Sequence, residues 1–172
     1  MKIILIGLPG VGKSYWGQRL ASHLNVPFFD LDLLIEQTEG KSISDVFAQQ
    51  GESYFRKSEQ MHMSKLLSDT RSMVVATGGG TPCYANSMSV MKKSGITVYL
   101  KDELKSIADR IRSEDGIRPL FASMGQNTEV VLRKMLDERK AFYEQSHIIT
   151  DVSGLRNPHL FTKRLELFTG TT

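Results

Sequence analysis

Short apolar runs recur along the chain at 2–6, 27–29, 72–76, 96–100 and 147–150, each bounded by polar or turn-forming residues. They lack the polar alternation of a half-exposed strand, as strands covered on both faces of a parallel sheet do. Between them the apolar period changes to 3.6. Leu104, Ile107, Ala108 and Ile111 fall on one helical face, and Phe161, Leu165 and Phe168 on another. Alternation of the two patterns predicts an α/β fold, a three-layer αβα arrangement around a five-stranded parallel sheet.

Two segments interrupt this alternation. After the second strand, Ser42 and Asp45 read as a capping box opening a short helix that carries Phe47, and Gly51 separates it from a longer helix through Leu67. This insertion, about 31–60, is placed to form a substrate-side flap. The stretch 114–126 holds two glycines and a proline without periodicity, so it reads as a mobile loop, closed by Asn127 as the next helix cap. No repeat or linker divides the chain, and 1–172 is expected to form one domain.

Composition adds limits rather than chemistry. A hydrophobic fraction of 40% and a charged fraction of 24% suit a soluble globular protein. The net charge of +3 favours anionic partners. Its basic residues lie among nearly as many acids, however, and no basic run with interleaved aromatics points to nucleic acid. The single cysteine, Cys83, cannot form an internal disulfide, which fits a reducing, cytoplasmic setting. The run Ile3–Ile6 is too short for a signal core, and no segment reaches membrane-spanning length. Nothing marks a dimer face, so a monomer is expected.

The chemistry starts at Gly7-Leu8-Pro9-Gly10-Val11-Gly12-Lys13-Ser14, which fits G-x-x-x-x-G-K-[ST] between a predicted strand and a predicted helix. Glycines let backbone amides turn inward around phosphate oxygens, and the helix amino terminus adds partial positive charge. Lys13 can reach the β and γ phosphates, and Ser14 can ligate magnesium. This cradle by itself does not separate kinases from GTPases or ATP-driven machines.

At the end of the second strand, Asp30 and Asp32 can project from the carboxyl edge of the sheet, where α/β folds bind ligands. One acid could organise magnesium while the other orients and deprotonates a hydroxyl. The plainer role for such an aspartate is a helix cap.

Taken in order, the cradle, Asp30-Leu31-Asp32, Gly51-Glu52 with Phe55-Arg56 and Glu59, Gly78-Gly79-Gly80, Arg118-Pro119-Leu120, Arg139 and Arg156-Asn157-Pro158 resemble the shikimate kinases across essentially the whole chain. The resemblance implies a P-loop kinase that transfers the γ-phosphoryl group of ATP to the 3-hydroxyl of shikimate with Mg2+. ATP and shikimate would be its small-molecule partners, in aromatic amino acid (chorismate) biosynthesis. It implies that Asp32 acts as base and that Lys13 and Arg118 assist catalysis. Ser14 and Asp30 would organise the metal, and Gly10, Val11, Gly12, Lys13, Ser14, Tyr15, Arg118 and Arg156 would bind the nucleotide. Arg56, Arg139, Asp32 and the turn Gly78, Gly79, Gly80 would hold shikimate, with Glu59 behind Arg56. Guanidinium forks suit that task because they grip planar carboxylates bidentately and stay charged when partly desolvated. Phe47 and Phe55 match pocket aromatics, although core packing is their ordinary role.

In the same family the loop bearing Arg118 closes as a lid, and Arg156 packs on adenine. Asn157-Pro158 also makes a good helix cap and first turn. Either Arg110 or Arg112 could supply a further stacking arginine. Tyr15, Trp16 and Phe121 depart from the family's usual residues. His23, His62, His147, His159 and Cys83 have no convergent partners in the sequence and read as structural or surface residues. Two alternatives stay open, a kinase for another sugar acid such as gluconate or for a nucleoside monophosphate, and a catalytically silent nucleotide-binding relative.

Overall fold

The computed structural model describes residues 1–113, 128–155 and 157–169, with side chains to residue 166. Five strands, β1 (Lys2–Ile6), β2 (Phe28–Asp30), β3 (Met73–Ala76), β4 (Ile96–Lys101) and β5 (Ile148–Asp151), pair in parallel in the order β2-β3-β1-β4-β5. Helices flank this sheet: α1 (Lys13–Leu24), α2 (Leu31–Glu39), α3 (Ile43–Ser68), α4 (Ser87–Ser94), α5 (Leu104–Ser113), α6 (Thr128–Tyr143) and α7 (Pro158–Thr169).

All five expected strands are present, with ends displaced by at most one residue. In β2 the displacement has a chemical cause. Pro27 has no N–H for the ladder and contributes only its carbonyl, which accepts from Val74 N–H, so the paired run begins at Phe28 and ends at Asp30 opposite Ala76. The last rung therefore delivers a carboxylate to the sheet edge.

Ile3, Ile4, Leu5 and Ile6 are at most 1% exposed, which accounts for the unbroken apolar run in β1. Burying each such side chain stabilises the fold by about 1.5–3 kcal/mol. On α5 the face Ile107, Ala108, Ile111 is buried as its period predicts, and on α7 Phe161 and Leu165 are buried. The side chain of Phe168 lies outside the described residues. The buried apolar side chains of α4 are Met88 and Met91, too few to announce a helix.

β1 occupies the centre. From it the chain travels to β2 at one edge, whereas β4 beside it leads to β5 at the other, so the crevice at their carboxyl ends lies where an open sheet binds ligands. The segment after β2 folds back over this crevice. Asp30 caps α2 with Oδ1, which accepts from the amides of Asp32 and Leu33. Ser42 caps α3 by accepting from Asp45 N–H, and its hydroxyl donates to the Asp45 carboxylate. Gly51 then breaks α3 with φ 80° and ψ 169°, a conformation costly for any residue with a Cβ. That break redirects the helix and aims Arg56 and Glu59 at the crevice.

Candidate active site

The loop after β1 takes the path its glycines permit. Gly7, Gly10 and Gly12 have φ of 142°, 78° and 97°, and a Cβ on Gly7 would lie 2.4 Å from the Leu100 carbonyl oxygen. Gly12 caps α1 without a side chain, leaving the first amides of that helix to the loop. Lys13, 8% exposed, donates from Nζ to the carbonyls of Gly7 and Leu8 at 2.9 Å each, which holds its ammonium group inside the loop. Ser14 Oγ donates to Asp30 Oδ2 at 2.5 Å. Because Asp30 Oδ1 caps α2, one carboxylate joins α1, β2 and α2: Asp30 is both the cap and the partner of the cradle serine.

The far side of the loop is clamped from α5. Arg110 donates to the Gly10 carbonyl at 2.9 Å and forms an ion pair with Asp102, whose side chain is 6% exposed. Of the two arginines left open by the sequence, Arg110 faces the cleft, whereas Arg112 pairs with Asp109 on the helix surface. Tyr15 is exposed and lies against the Arg19 guanidinium at 3.9 Å. Trp16 turns inward, edge-on to Phe161, and ties α1 to α7.

The part of the cleft around Arg56 is built on charge held out of water. Glu59 is 1% exposed and accepts from Arg56 NH1 at 2.8 Å and from Thr81 Oγ1 at 2.5 Å. Glu52 adds a weaker contact to Arg56 at 3.4 Å. A buried carboxylate with two donors is a stable partner for a guanidinium, whereas a lone one would be costly. Pairing of Arg56 with Glu59 is thus a buried bridge and not a solvated ion pair.

Three successive glycines lie at the junction of these groups. A Cβ on Gly78 would stand 2.8 Å from Asp32 Oδ1 and 3.0 Å from Glu59 Oε1. On Gly79 it would meet Pro9 Cδ at 2.9 Å and Arg139 NH1 at 3.2 Å, and on Gly80 it would meet Arg56 NH2 at 2.6 Å. None of the three has a positive φ, so the need for glycine here is close approach and not backbone conformation. Arg139, which comes from α6, therefore reaches the same turn as Arg56 from α3.

These groups line one open cavity of about 1080 Å³, which holds the loop from Pro9 to Trp16, Asp30, Asp32, Arg56, Glu59, the glycine turn, Arg110 and Arg139. Phe47 and Phe55 line it too, with ring centroids 4.6 Å apart, and Phe55 is at the same time a core residue. Arg118 and Arg156 lie outside the described residues, as does the stretch 114–126. Asn157 Oδ1 accepts from Leu160 N–H, so the cap reading of Asn157-Pro158 holds. Two of the histidines serve structure: His62 is buried with Nδ1 2.8 Å from the Ser58 carbonyl, and His147 Nδ1 accepts from Thr97 N–H. Burial pushes the Cys83 thiol up, so it is a poor nucleophile.

Three contributors escaped the sequence reading, namely Thr81, which holds Glu59, Asp102, which holds Arg110, and Tyr143, whose hydroxyl donates to the Gly79 carbonyl at 2.6 Å. Only Tyr143 left a trace, one helical turn beyond Arg139. For a metal, Ser14 Oγ and Asp30 offer adjacent hard oxygens, and no group of three or more His, Cys, Asp or Glu side chains forms such a site among the described residues. That donor set suits a magnesium ion that takes its remaining ligands from phosphate and water.

A family model described as shikimate kinase matches residues 9–168. A shikimate kinase from Azobacteroides pseudotrichonymphae genomovar. CFP2 is 36% identical over 149 residues, covering 86% of this chain and 88% of that protein. Among solved structures, the shikimate kinase from Bacteroides thetaiotaomicron superposes with a TM-score of 0.91 at 29% identity, over 99% of this chain and 98% of that one. One from Acinetobacter baumannii, solved in complex with shikimate, gives 0.87 at 32% identity, over 99% and 94%.

Proposed function

The chain belongs to the shikimate kinase family, and from that premise we propose that it phosphorylates the 3-hydroxyl of shikimate through the residues gathered in this cleft. It is an ATP-dependent kinase of that family. Arg56 and Arg139 grip the acceptor carboxylate, and Glu59 keeps Arg56 oriented. Asp32 accepts the proton of the attacking hydroxyl, while Lys13 neutralises charge on the transferring phosphoryl group. Arg118 adds a second cation from the 114–126 lid, a role that rests on the family resemblance. The 31–60 insertion acts as the acceptor-side flap within one domain spanning 1–172. Arg110 contributes to the adenine side, and Arg156 packs on the base, a role that rests on the family resemblance.

Ser14 and Asp30 would hold Mg2+, which when bound supplies charge neutralisation at the β and γ phosphates. The enzyme works as a cytoplasmic monomer. Among the described residues no helix is long and apolar enough to cross a membrane.

One observation carries this reading: two arginines from different helices meet the same glycine turn, beside Asp32 and the phosphate loop. A binding site for a planar carboxylate beside a phosphate cradle suits a hydroxy acid better than a nucleoside monophosphate. The test is ADP release with shikimate, gluconate and AMP offered separately at fixed Mg2+ and ATP. Shikimate alone should support turnover, and equal or better turnover with gluconate or AMP would overturn the assignment.

A further inference from the structure

Tyr143 is fully buried at the end of α6, four residues after Arg139, with its ring 5.0 Å from that of Tyr99 on β4. Its phenol is pushed above its ordinary value by burial, with the Arg139 guanidinium opposing, so the hydroxyl remains a donor throughout the physiological range. That donor goes to the Gly79 carbonyl.

The other two carbonyls of the glycine turn are held locally, Gly78 by Thr81 N–H at 3.2 Å and Gly80 by Cys83 N–H at 3.0 Å. Gly79 O is thus the one glycine-turn carbonyl held by a distant side chain, 64 residues away. Its orientation has a geometric consequence. No peptide in the described chain is cis, so the Gly79 C=O and the Gly80 N–H are opposed across one rigid plane. Drawing the carbonyl toward Tyr143 turns the Gly80 amide to the opposite side. Without the phenol that plane could rotate, because flanking glycines offer little torsional resistance.

We propose that Tyr143 is a positioning residue for the acceptor: by holding the Gly79 carbonyl it fixes the plane of the Gly79–Gly80 peptide and so the direction of the Gly80 amide beside Arg56. The inference rests on the functional reading above. It also makes α6 a single lever, since Arg139 and the phenol that anchors the turn are one helical turn apart on the same element. The acceptor clamp and the glycine turn then keep their relative placement.

The test compares Tyr143→Phe with Tyr99→Phe, which removes the neighbouring phenol but leaves the Gly79 bond. In Tyr143→Phe the KM for shikimate should rise about tenfold, as when the competent orientation of the turn falls to about a tenth of the molecules, while the KM for ATP stays unchanged. Tyr99→Phe should leave both constants as they are. Equal rises in both KM values in Tyr143→Phe, or a like rise in Tyr99→Phe, would mark general loosening and overturn the proposal. A second measurement needs no variant. In wild-type protein the Tyr143 hydroxyl proton should exchange slowly enough to be seen by NMR, with a cross-peak to the Gly79 α protons. Its absence would overturn the proposal even if the enzyme accepts shikimate, whereas wild-type protein inert toward shikimate but showing this proton would defeat the functional reading alone.

Discussion

Gly80→Ala isolates the contact between the glycine turn and the Arg56 guanidinium. Gly80 has φ −89° and ψ −14°, which alanine adopts without strain, so the substitution adds a methyl group and little else. That methyl would stand 2.6 Å from Arg56 NH2, 3.1 Å from NH1 and 3.2 Å from Cζ, where ordinary contact begins at 3.4 Å. The guanidinium must therefore retreat by about 0.8 Å along the closest approach. An arginine tip on the surface would do so at little cost. Here NH1 is tied at 2.8 Å to a carboxylate that is itself buried and held by Thr81, so retreat stretches the bridge or drags Glu59 with it. Misplacement of a positioning group by about 1 Å can cost on the order of 100-fold. For 0.8 Å we expect about 30-fold in kcat/KM for shikimate, equivalent to about 2 kcal/mol. Gly80 and Arg56 are not part of the phosphate loop, so the KM for ATP should not move. Steady-state ADP release with each substrate varied at saturating levels of the other measures both. A shikimate kcat/KM within twofold of wild type, or a parallel rise in the KM for ATP, would refute the role of this contact.

Asp32→Asn should lower kcat by about 100-fold or more while ATP binding, followed by the fluorescence of the single tryptophan Trp16 beside the loop, is kept. Arg139→Ala should raise the KM for shikimate by about 10- to 100-fold, the range for losing a charge-assisted hydrogen bond, and an unchanged KM would remove it from the clamp. Gly79→Ala, whose methyl meets both Pro9 and Arg139, should impair both substrates, in contrast to Gly80→Ala; a selective effect on one would contradict that geometry. Burial and nearby Lys92 hold His147 below the ordinary histidine value of 6.5. Its neutral form is favoured in the fold, so the associated stability is complete above 6.5 and is lost as pH falls below it. Thermal melts from pH 7.5 to 5.5 should fall more steeply for wild type than for His147→Gln, and equal slopes would show that His147 does not contribute.

Much of the arrangement was legible because the signals are local. The phosphate loop needs only the glycines, Lys13 and Ser14 within one strand-to-helix turn, and the pairing of Arg56 with Glu59 needs only one turn of helix. The strands were readable from apolar runs because both faces of a parallel sheet are covered, and β2 slipped by a residue because Pro27 withholds a donor. The Asp30 side chain had two readings, cap or phosphate-side ligand, and the fold gives it one oxygen for α2 and the other for Ser14.

Other relations were decided by the fold alone. The strand order β2-β3-β1-β4-β5 brings segments dozens of residues apart to one edge, and no spacing rule anticipates which side chains then meet. It is this order that sets Arg139 beside Arg56, Thr81 on Glu59 and the Tyr143 hydroxyl on Gly79. The chain itself specified the chemical groups, because residue types and short spacings suffice for that. Their convergence came from packing, since contacts between distant segments are made only when the sheet closes around its core.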